Sequence, residues 1–171
     1  MSSKLVWLTT LAWLLPGQVA AACDLADANA DASPLYTRKP VAGEEVWLTS
    51  GFGVRFHPLL KTRRLHTGVD WATPIGTPVL AAGAGRIVSA RVEGEFGQTI
   101  RIDHGAGWHT VYAKLSAFDV REGDCVGPLA TSGATGLASG PKLHFEVHRN
   151  AQPIDPLSVP PRDHPPSTGP R

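Results

Sequence analysis

Short runs of alternating apolar and polar residues, separated by glycine, make up the middle of the chain. In residues 99–103, Ile100 and Ile102 alternate with polar side chains. This two-residue period is typical of a β-strand with one buried face. Comparable runs predict further strands at 46–49, 78–82, 86–92, 110–115, 126–132 and 143–148. Because no ten-residue stretch among them has a helical period, the pattern predicts an all-β domain.

The two ends of the chain differ from this middle part. Residues 1–22 have a basic start, an apolar run and small residues before a cleavage point, which indicates a signal peptide and export to the periplasm or cell envelope. Residues 23–45 contain no apolar stripe and predict a mobile arm, whereas the proline-rich residues 158–171 predict a disordered tail. With 42% hydrophobic residues in 171, the chain can enclose one core, in a domain spanning 46–157.

The chain has two cysteines, Cys23 and Cys125. Cys23 directly follows the alanines that end the predicted signal peptide, where a lipoprotein carries its acylated cysteine. In an oxidising compartment the two thiols would instead pair with each other. We favour the disulfide, with a lipid anchor at Cys23 and two unpaired buried thiols as alternatives. A membrane is an expected partner only if Cys23 is lipidated.

Charge argues against a nucleic-acid partner. The formal net charge is +1, and it comes from interspersed basic and acidic residues without a basic block. A protein that binds nucleic acid usually concentrates lysine and arginine on one surface. We therefore expect neither DNA nor RNA to bind.

Three residues suit a zinc site. His66 and Asp70 lie in HTGVD (66–70), and His144 lies in LHFE (143–146). Zinc in a hydrolytic site takes three protein ligands, often mixed imidazole and carboxylate, and leaves a fourth position for water. Gly68 permits a tight backbone that turns both of its ligand neighbours toward one point. We predict one Zn²⁺ ion held by these three side chains.

The chain resembles the lysostaphin-type (LytM-like) zinc metallopeptidases, which cut peptide cross-links of bacterial peptidoglycan. The matching segments occur in the family's order over about 46–157, namely SGFGVRFHP (50–58), HTGVD (66–70), PIGTPV (74–79), DHG (103–105), VYAKL (111–115), GATG (133–136), LHFE (143–146) and PIDP (153–156). The resemblance implies a two-layer antiparallel β structure with a groove, and peptidoglycan peptides as the partner. It also implies His66, Asp70 and His144 as the zinc ligands.

Two positions depart from the family's pattern. Where the family has two histidines that handle the water proton and the oxyanion, this chain has Lys114 and Lys142. A lysine cation donates to an oxyanion but cannot accept a proton. A zinc ion and a second ammonium group nearby would lower the pKa of a lysine, so that one of the two lysines could act as a base. The repulsion between the ammonium groups and the zinc ion would also weaken zinc binding. Side chains two residues apart on a strand point to the same face, which places Lys142 on the face of His144 and Lys114 on the face of Tyr112. The alternative is that both lysines face solvent.

Two functions remain open. The leading one is a zinc metalloendopeptidase acting on peptidoglycan, slow or rewired, in which Lys114 and Lys142 stabilise the oxyanion. The alternative is a non-catalytic domain that binds peptidoglycan peptides or activates a separate cell-wall hydrolase. Glu146 is expected either to hold a ligand imidazole or to be a surface charge. His57 and His104 are expected to be turn or supporting residues. His109 is not expected to replace the absent imidazole, because it lies on the face opposite Lys114, and His148 lies four residues beyond the ligand His144 toward the end of its strand.

Overall fold

The computed structural model describes residues 23, 32–57, 61–129, 131–135 and 141–162. These residues form twelve strands, which are β1 Trp47–Ser50, β2 Gly53–His57, β3 Thr62–His66, β4 Val69–Ala72, β5 Pro78–Leu80, β6 Gly85–Glu93, β7 Gly97–Gly105, β8 Trp108–Ala117, β9 Cys125–Val126, β10 Thr131–Thr135, β11 Lys142–Arg149 and β12 Gln152–Ile154. A 3₁₀ turn, Gly94–Phe96, connects β6 to β7. Within these ranges no helix has the length and apolar character needed to cross a membrane. The predicted signal peptide lies outside the described residues.

Ten of the strands belong to one antiparallel sheet. Its main path runs β1-β4-β11-β8-β7-β6-β9, with β12 beside β11, and β10 bridging β8 and β5. β2 and β3 form a separate antiparallel hairpin. The all-β, antiparallel prediction is confirmed. The alternation along the chain did not reveal β2, β3, β4 or β12, because these strands are short and do not have one regularly buried face.

The core covers one face of the large sheet. Ile100 and Ile102 of β7 are fully buried, whereas Arg101 between them is only partly buried. Phe145 of β11 is also fully buried, and its ring lies 5.3 Å from that of Tyr112 on the neighbouring β8. The alternation therefore sends apolar side chains inward and leaves the opposite face of β11 and its neighbours for polar groups.

The structure differs from the predicted mobile arm and disordered tail where it describes them. Leu35 and Val41 are almost completely buried in the core, and Val41 forms a β-bridge with Val79. The backbone amide of Arg162 donates to the carbonyl of Leu35, and Val159 is buried. A few well-spaced apolar residues thus hold both segments on the domain, although neither segment has a continuous apolar stripe.

Cys23 and Cys125 form a disulfide with an S–S distance of 2.00 Å. Cys125 begins β9, at the end of the main sheet path. The bond therefore links the segment that precedes the domain in the sequence to a strand at the edge of the sheet. Of the three alternatives for these cysteines, the structure contains the disulfide.

Candidate metal centre

The three predicted zinc ligands come from adjacent strands. His66 ends β3, Asp70 lies in β4, and His144 lies in β11 directly opposite Asp70 in the strand register. All three are buried, with relative exposures of 9% or less. Gly68 is needed here because a Cβ at this position would collide with the carbonyl oxygen of Phe145. The turn between the first two ligands can therefore press closely against β11, which carries the third.

The donor atoms of the three ligands form a compact triangle. Asp70 Oδ1 lies 2.8 Å from His144 Nδ1 and 3.3 Å from His66 Nε2, and the two imidazole nitrogens are 3.3 Å apart. A tetrahedral zinc ion with bonds of about 2.0–2.1 Å separates its ligand atoms by about 3.3–3.4 Å. Two edges of the triangle match this separation, and the third, between Asp70 and His144, is a hydrogen-bond distance of 2.8 Å that would lengthen if both atoms bound zinc.

Hydrogen bonds on the far side of each imidazole orient these donors. His66 Nδ1 lies 2.7 Å from the carbonyl oxygen of Gly51, and His144 Nε2 lies 3.0 Å from Glu146 Oε1. Because a carbonyl or carboxylate oxygen can only accept, each of these nitrogens carries the proton. In the neutral ring the nitrogen that faces Asp70 keeps a free lone pair for a metal ion; in His144, whose ring pKa is raised, a proton on this nitrogen instead donates to Asp70 when no metal is bound. Two such lone pairs and a carboxylate converge, which is a donor set that fits a divalent cation.

The charge on Asp70 is strongly favoured. Burial opposes ionisation of this carboxyl group, but hydrogen bonds from His144, His66 and Lys142 outweigh it and hold the pKa far below its usual range. Burial likewise disfavours a charged His144, whereas its carboxylate neighbours raise the pKa of its ring. The carboxylate of Asp70 is therefore ionised and can bind a cation.

Glu146 supports the centre from behind. It is 3% exposed, and besides His144 it accepts hydrogen bonds from the Thr67 hydroxyl and from His148 Nε2, the latter at 2.7 Å. Burial opposes its charge, but these hydrogen bonds lower the pKa of its carboxyl well below the usual range. The structure thus agrees with the expected contact to a ligand imidazole and not with a surface charge. His148, two residues further along β11 on the same face, binds the second oxygen of this carboxylate.

Lys142 lies beside the ligand carboxylate. Its Nζ is 3.0 Å from Asp70 Oδ2, while the other oxygen, Oδ1, faces the two imidazoles. Each oxygen of Asp70 thus has its own set of partners. The prediction that Lys142 shares the face of His144 agrees with this contact.

Lys114 reaches the same groove by a different route from the one predicted. Strand parity groups it with Tyr112, but Tyr112 points into the core. Between Tyr112 and Leu115 the register with β7 shifts by one residue, and Lys114 has a positive φ of 66°. This β-bulge turns Lys114 into the groove, where its ammonium donates to the carbonyl of Glu95. Burial first, and then the charge of Lys142, lower the pKa of Lys114.

The centre lies in a groove with a volume of about 490 Å³. Besides the three ligands, its walls consist mostly of polar and charged residues, together with two apolar side chains; these are Arg55, Arg64, Leu65, Thr67, Glu95, Phe96, Lys114 and Lys142. Because both lysines line the groove, the structure does not show the arrangement in which both turn away into solvent. The prediction of a groove next to the ligand triad is matched by this cavity.

Two further histidines of the described residues, His104 and His109, lie away from the triad. His104 is completely buried, between the carbonyl of Ala84 and the hydroxyl of Thr110. His109 is half-exposed, and its Nε2 lies 3.7 Å from Asp103 Oδ1. The side chain of His57 is outside the described part of the chain. Neither His104 nor His109 lines the groove, which agrees with a supporting role for His104 and with His109 not replacing the absent imidazole.

An antiparallel β domain with two imidazoles and one carboxylate at the floor of an open groove has the features of a metallohydrolase. The family model for peptidase family M23 matches residues 64–156, more than half of the chain. This chain belongs to peptidase family M23. The resemblance inferred from its motifs is thereby confirmed.

Individual relatives agree with the family. Over 114 residues the chain is 46% identical to the DD-carboxypeptidase/endopeptidase Mpg of Neisseria meningitidis, covering 66% of this chain and 26% of the relative. A zinc-containing peptidase from Vibrio cholerae has a similar structure, with a TM-score of 0.69 and 32% identity, covering 75% of this chain and 41% of that one. The catalytic domain of lysostaphin from Staphylococcus simulans gives a TM-score of 0.57 and 30% identity, covering 65% and 89%.

The chain spans about a fifth to a third of the length of the curated relatives it matches. The similarity therefore concerns the peptidase domain of those proteins. It supports the fold and a peptidase-like site, and the activities of the whole relatives belong to them.

Proposed function

We propose that this chain is an exported zinc metalloendopeptidase of the periplasm or cell envelope that hydrolyses peptide cross-links of peptidoglycan. One observation carries the proposal: three buried donor atoms of His66, Asp70 and His144 lie 2.8–3.3 Å apart at the floor of an open groove. The peptidase names of the Neisseria and Vibrio relatives support the type of reaction. The Cys23–Cys125 disulfide is consistent with an oxidising compartment.

The three ligands would hold one zinc ion, which when bound supplies Lewis-acid polarisation of the scissile carbonyl and activation of water. Lys142 binds the second oxygen of Asp70, so it keeps this carboxylate oriented with Oδ1 toward the imidazoles. Glu146 fixes the tautomer and orientation of His144. Lys114 enters the groove from the bulge of β8, where its ammonium can donate to an oxyanion.

Zinc content and peptide cleavage, measured together, test this proposal. Protein purified without chelators should contain about one zinc ion per chain and should release new amino termini from cross-linked peptidoglycan. The variant His66→Ala should lose both properties. Cleavage that persists in His66→Ala, or zinc-loaded protein that releases no amino termini, would contradict the enzymatic function.

A second function is favoured by one specific contact. Lys142 already supplies a positive charge 3.0 Å from Asp70, so part of the anionic charge at the centre is neutralised without any metal. In this alternative the groove binds peptidoglycan peptides, or the domain activates a separate cell-wall hydrolase, without cutting. Metal-free protein that still retains wall fragments would support it.

The double variant Lys114→His/Lys142→His separates the two functions. Losing an acid–base group typically lowers a rate by about 10²–10⁴-fold. If the natural protein is inactive and the double variant cuts, the natural chain is a pseudoenzyme. If the natural protein cuts and the double variant cuts more slowly, the two lysines are part of a working rewired site.

A further inference from the structure

We propose that Arg55 and Arg64 form a carboxylate-binding site that selects peptides with a free carboxylate near the bond placed at the metal centre. This inference rests on the proposed function, because it names the chemical feature of the peptide that the same groove accepts. Both arginines line the groove together with His66 and Asp70. Neither belongs to the metal triad or to the two lysine positions discussed above.

The hairpin formed by β2 and β3 holds the two arginines together. Arg55 and Arg64 are directly opposite each other in its strand register. Side chains that are directly opposite on antiparallel strands share one face and lie within about 4.5–5.5 Å at their Cβ atoms. The hairpin therefore presents a pair of guanidinium groups to one side, toward the groove.

This pair costs stability unless an anion binds it. Like charges directly opposite on a sheet destabilise the pairing. Within the described part of the chain, neither Arg55 nor Arg64 has a carboxylate within ion-pair distance. Arg55 uses one donor, Nη1, to reach Ser50 Oγ at 2.6 Å. A guanidinium has five N–H donors, so most of them remain available for an acceptor.

The contact with Ser50 also places Arg55 close to the metal centre. Ser50 is paired in the strand register with the ligand Asp70. Arg64 precedes the ligand His66 by two residues on β3. Two residues along a strand span about 6.6–6.8 Å, which is also the length of about two residues of an extended peptide. The carboxylate that these arginines bind should therefore lie within about two residues of the scissile bond.

The charge of the whole groove favours the same ligand. Four basic residues line it, Arg55, Arg64, Lys114 and Lys142, against the two acidic residues Asp70 and Glu95. Lys142 is paired with Asp70, and Lys114 is bonded to a backbone carbonyl. The two arginines are thus the cations of the groove best able to make paired N–H···O bonds with a carboxylate.

Stem-type peptides test this site. A fluorescent pentapeptide that carries one side-chain carboxylate and ends in D-alanyl-D-alanine is prepared in three forms. In the first form both carboxylates are free. In the second only the terminal carboxylate is amidated, and in the third only the side-chain carboxylate is amidated. Binding to the zinc-loaded protein is measured by fluorescence anisotropy, and cleavage is followed as an initial rate. The test variants are Arg55→Gln and Arg64→Gln. Arg63→Gln is the matched control, because Arg63 pairs with Phe56 and is not a groove residue.

We expect each test variant to bind the free peptide about tenfold more weakly than the wild type does, because it loses one charge-assisted contact in an open groove. The control Arg63→Gln should bind this peptide like the wild type. One of the two amidated peptides should bind the wild type as weakly as the free peptide binds the test variants. The affinity of this peptide should be the same for the wild type and for both variants. The carboxylate that is amidated in this peptide is the one that the arginines bind. The site is wrong if amidation of neither carboxylate weakens binding, or if the test variants lose no more affinity than Arg63→Gln.

The binding and cleavage readouts separate this inference from the proposed function. Selective binding of the acid peptide without any cleavage would support the arginine site and overturn the peptidase function. Cleavage of free and amidated peptides with equal KM, unchanged in Arg55→Gln and Arg64→Gln, would overturn the site and leave the peptidase function standing.

Discussion

His104 should make the stability of this domain depend on pH in a way that one substitution can isolate. The ring is 0% exposed, with Nδ1 2.7 Å from the carbonyl oxygen of Ala84 and Nε2 2.7 Å from Thr110 Oγ1. The hydroxyl of Thr110 is in turn 3.0 Å from that of Tyr112, which accepts a hydrogen bond from the amide of Ala82. This chain of hydrogen bonds satisfies a neutral imidazole, and burial lowers the pKa of His104 to about 4.

The sign and size of the effect follow from this pKa. An unfolded histidine has a pKa of about 6.5, so between pH 6.5 and 4 the unfolded chain binds more protons than the native one. The contribution of His104 to the free energy of unfolding is therefore fully present above about pH 6.5 and is lost as the pH falls toward 4. At pH 5.0 the loss amounts to about 2 kcal/mol.

Urea unfolding at pH 7.5 and pH 5.0 measures this contribution. His104→Asn keeps a donor for the carbonyl of Ala84 but cannot take up a proton. Between the two pH values the wild type should lose about 2 kcal/mol more unfolding free energy than this variant. Other titrating groups, including His144, affect both proteins and cancel in the difference. His109→Asn, at a half-exposed position, is the control and should behave like the wild type. Equal losses in wild type and His104→Asn would refute the reasoning.

Three further outcomes are expected. Glu146→Gln should lower zinc affinity about 10- to 100-fold, because the amide holds the ligand imidazole less firmly than the carboxylate does; isothermal titration with Zn²⁺ checks this, and unchanged affinity would contradict it. Gly68→Ala should lower stability by about 1–3 kcal/mol and reduce zinc stoichiometry, because the new methyl group collides with β11. Gly127→Ala, where a Cβ meets nothing within 4 Å, should leave both quantities unchanged in the same melts. Cys125→Ser should lower the free energy of unfolding by about 2–4 kcal/mol by releasing the closed loop, and a variant as stable as the wild type would contradict this.

The residues that could be predicted from the sequence are those whose position follows from local rules. Ile100 and Ile102 alternate with polar residues, and a two-residue period places them in the core of any half-buried strand. Lys142 and His144 are two apart on one strand, so they share a face. His66 and Asp70 flank a glycine that allows both to face one point. The motifs and their order along the chain were sufficient to identify the family.

Other features depend on contacts between segments that are distant in the sequence. Lys114 enters the groove because β8 forms a β-bulge opposite β7. The residues VYAKL (111–115) do not predict the positive φ that turns Lys114 to the face opposite Tyr112. Leu35 is buried because its segment packs into the core cluster that also contains Val79 and Val159, although the sequence around it is irregular.

The same distinction applies to the groove. The sequence by itself determined which side chains were available to bind a metal and that His144 would lie on a strand, because residue type and alternation are local properties; the strands that carry His66 and Asp70 did not follow from it. Only the tertiary structure decided that Lys142 of β11 binds the second oxygen of Asp70 on β4, and that two arginines face each other beside them. Those relations depend on the register between strands, and register is set by the packing of the whole sheet.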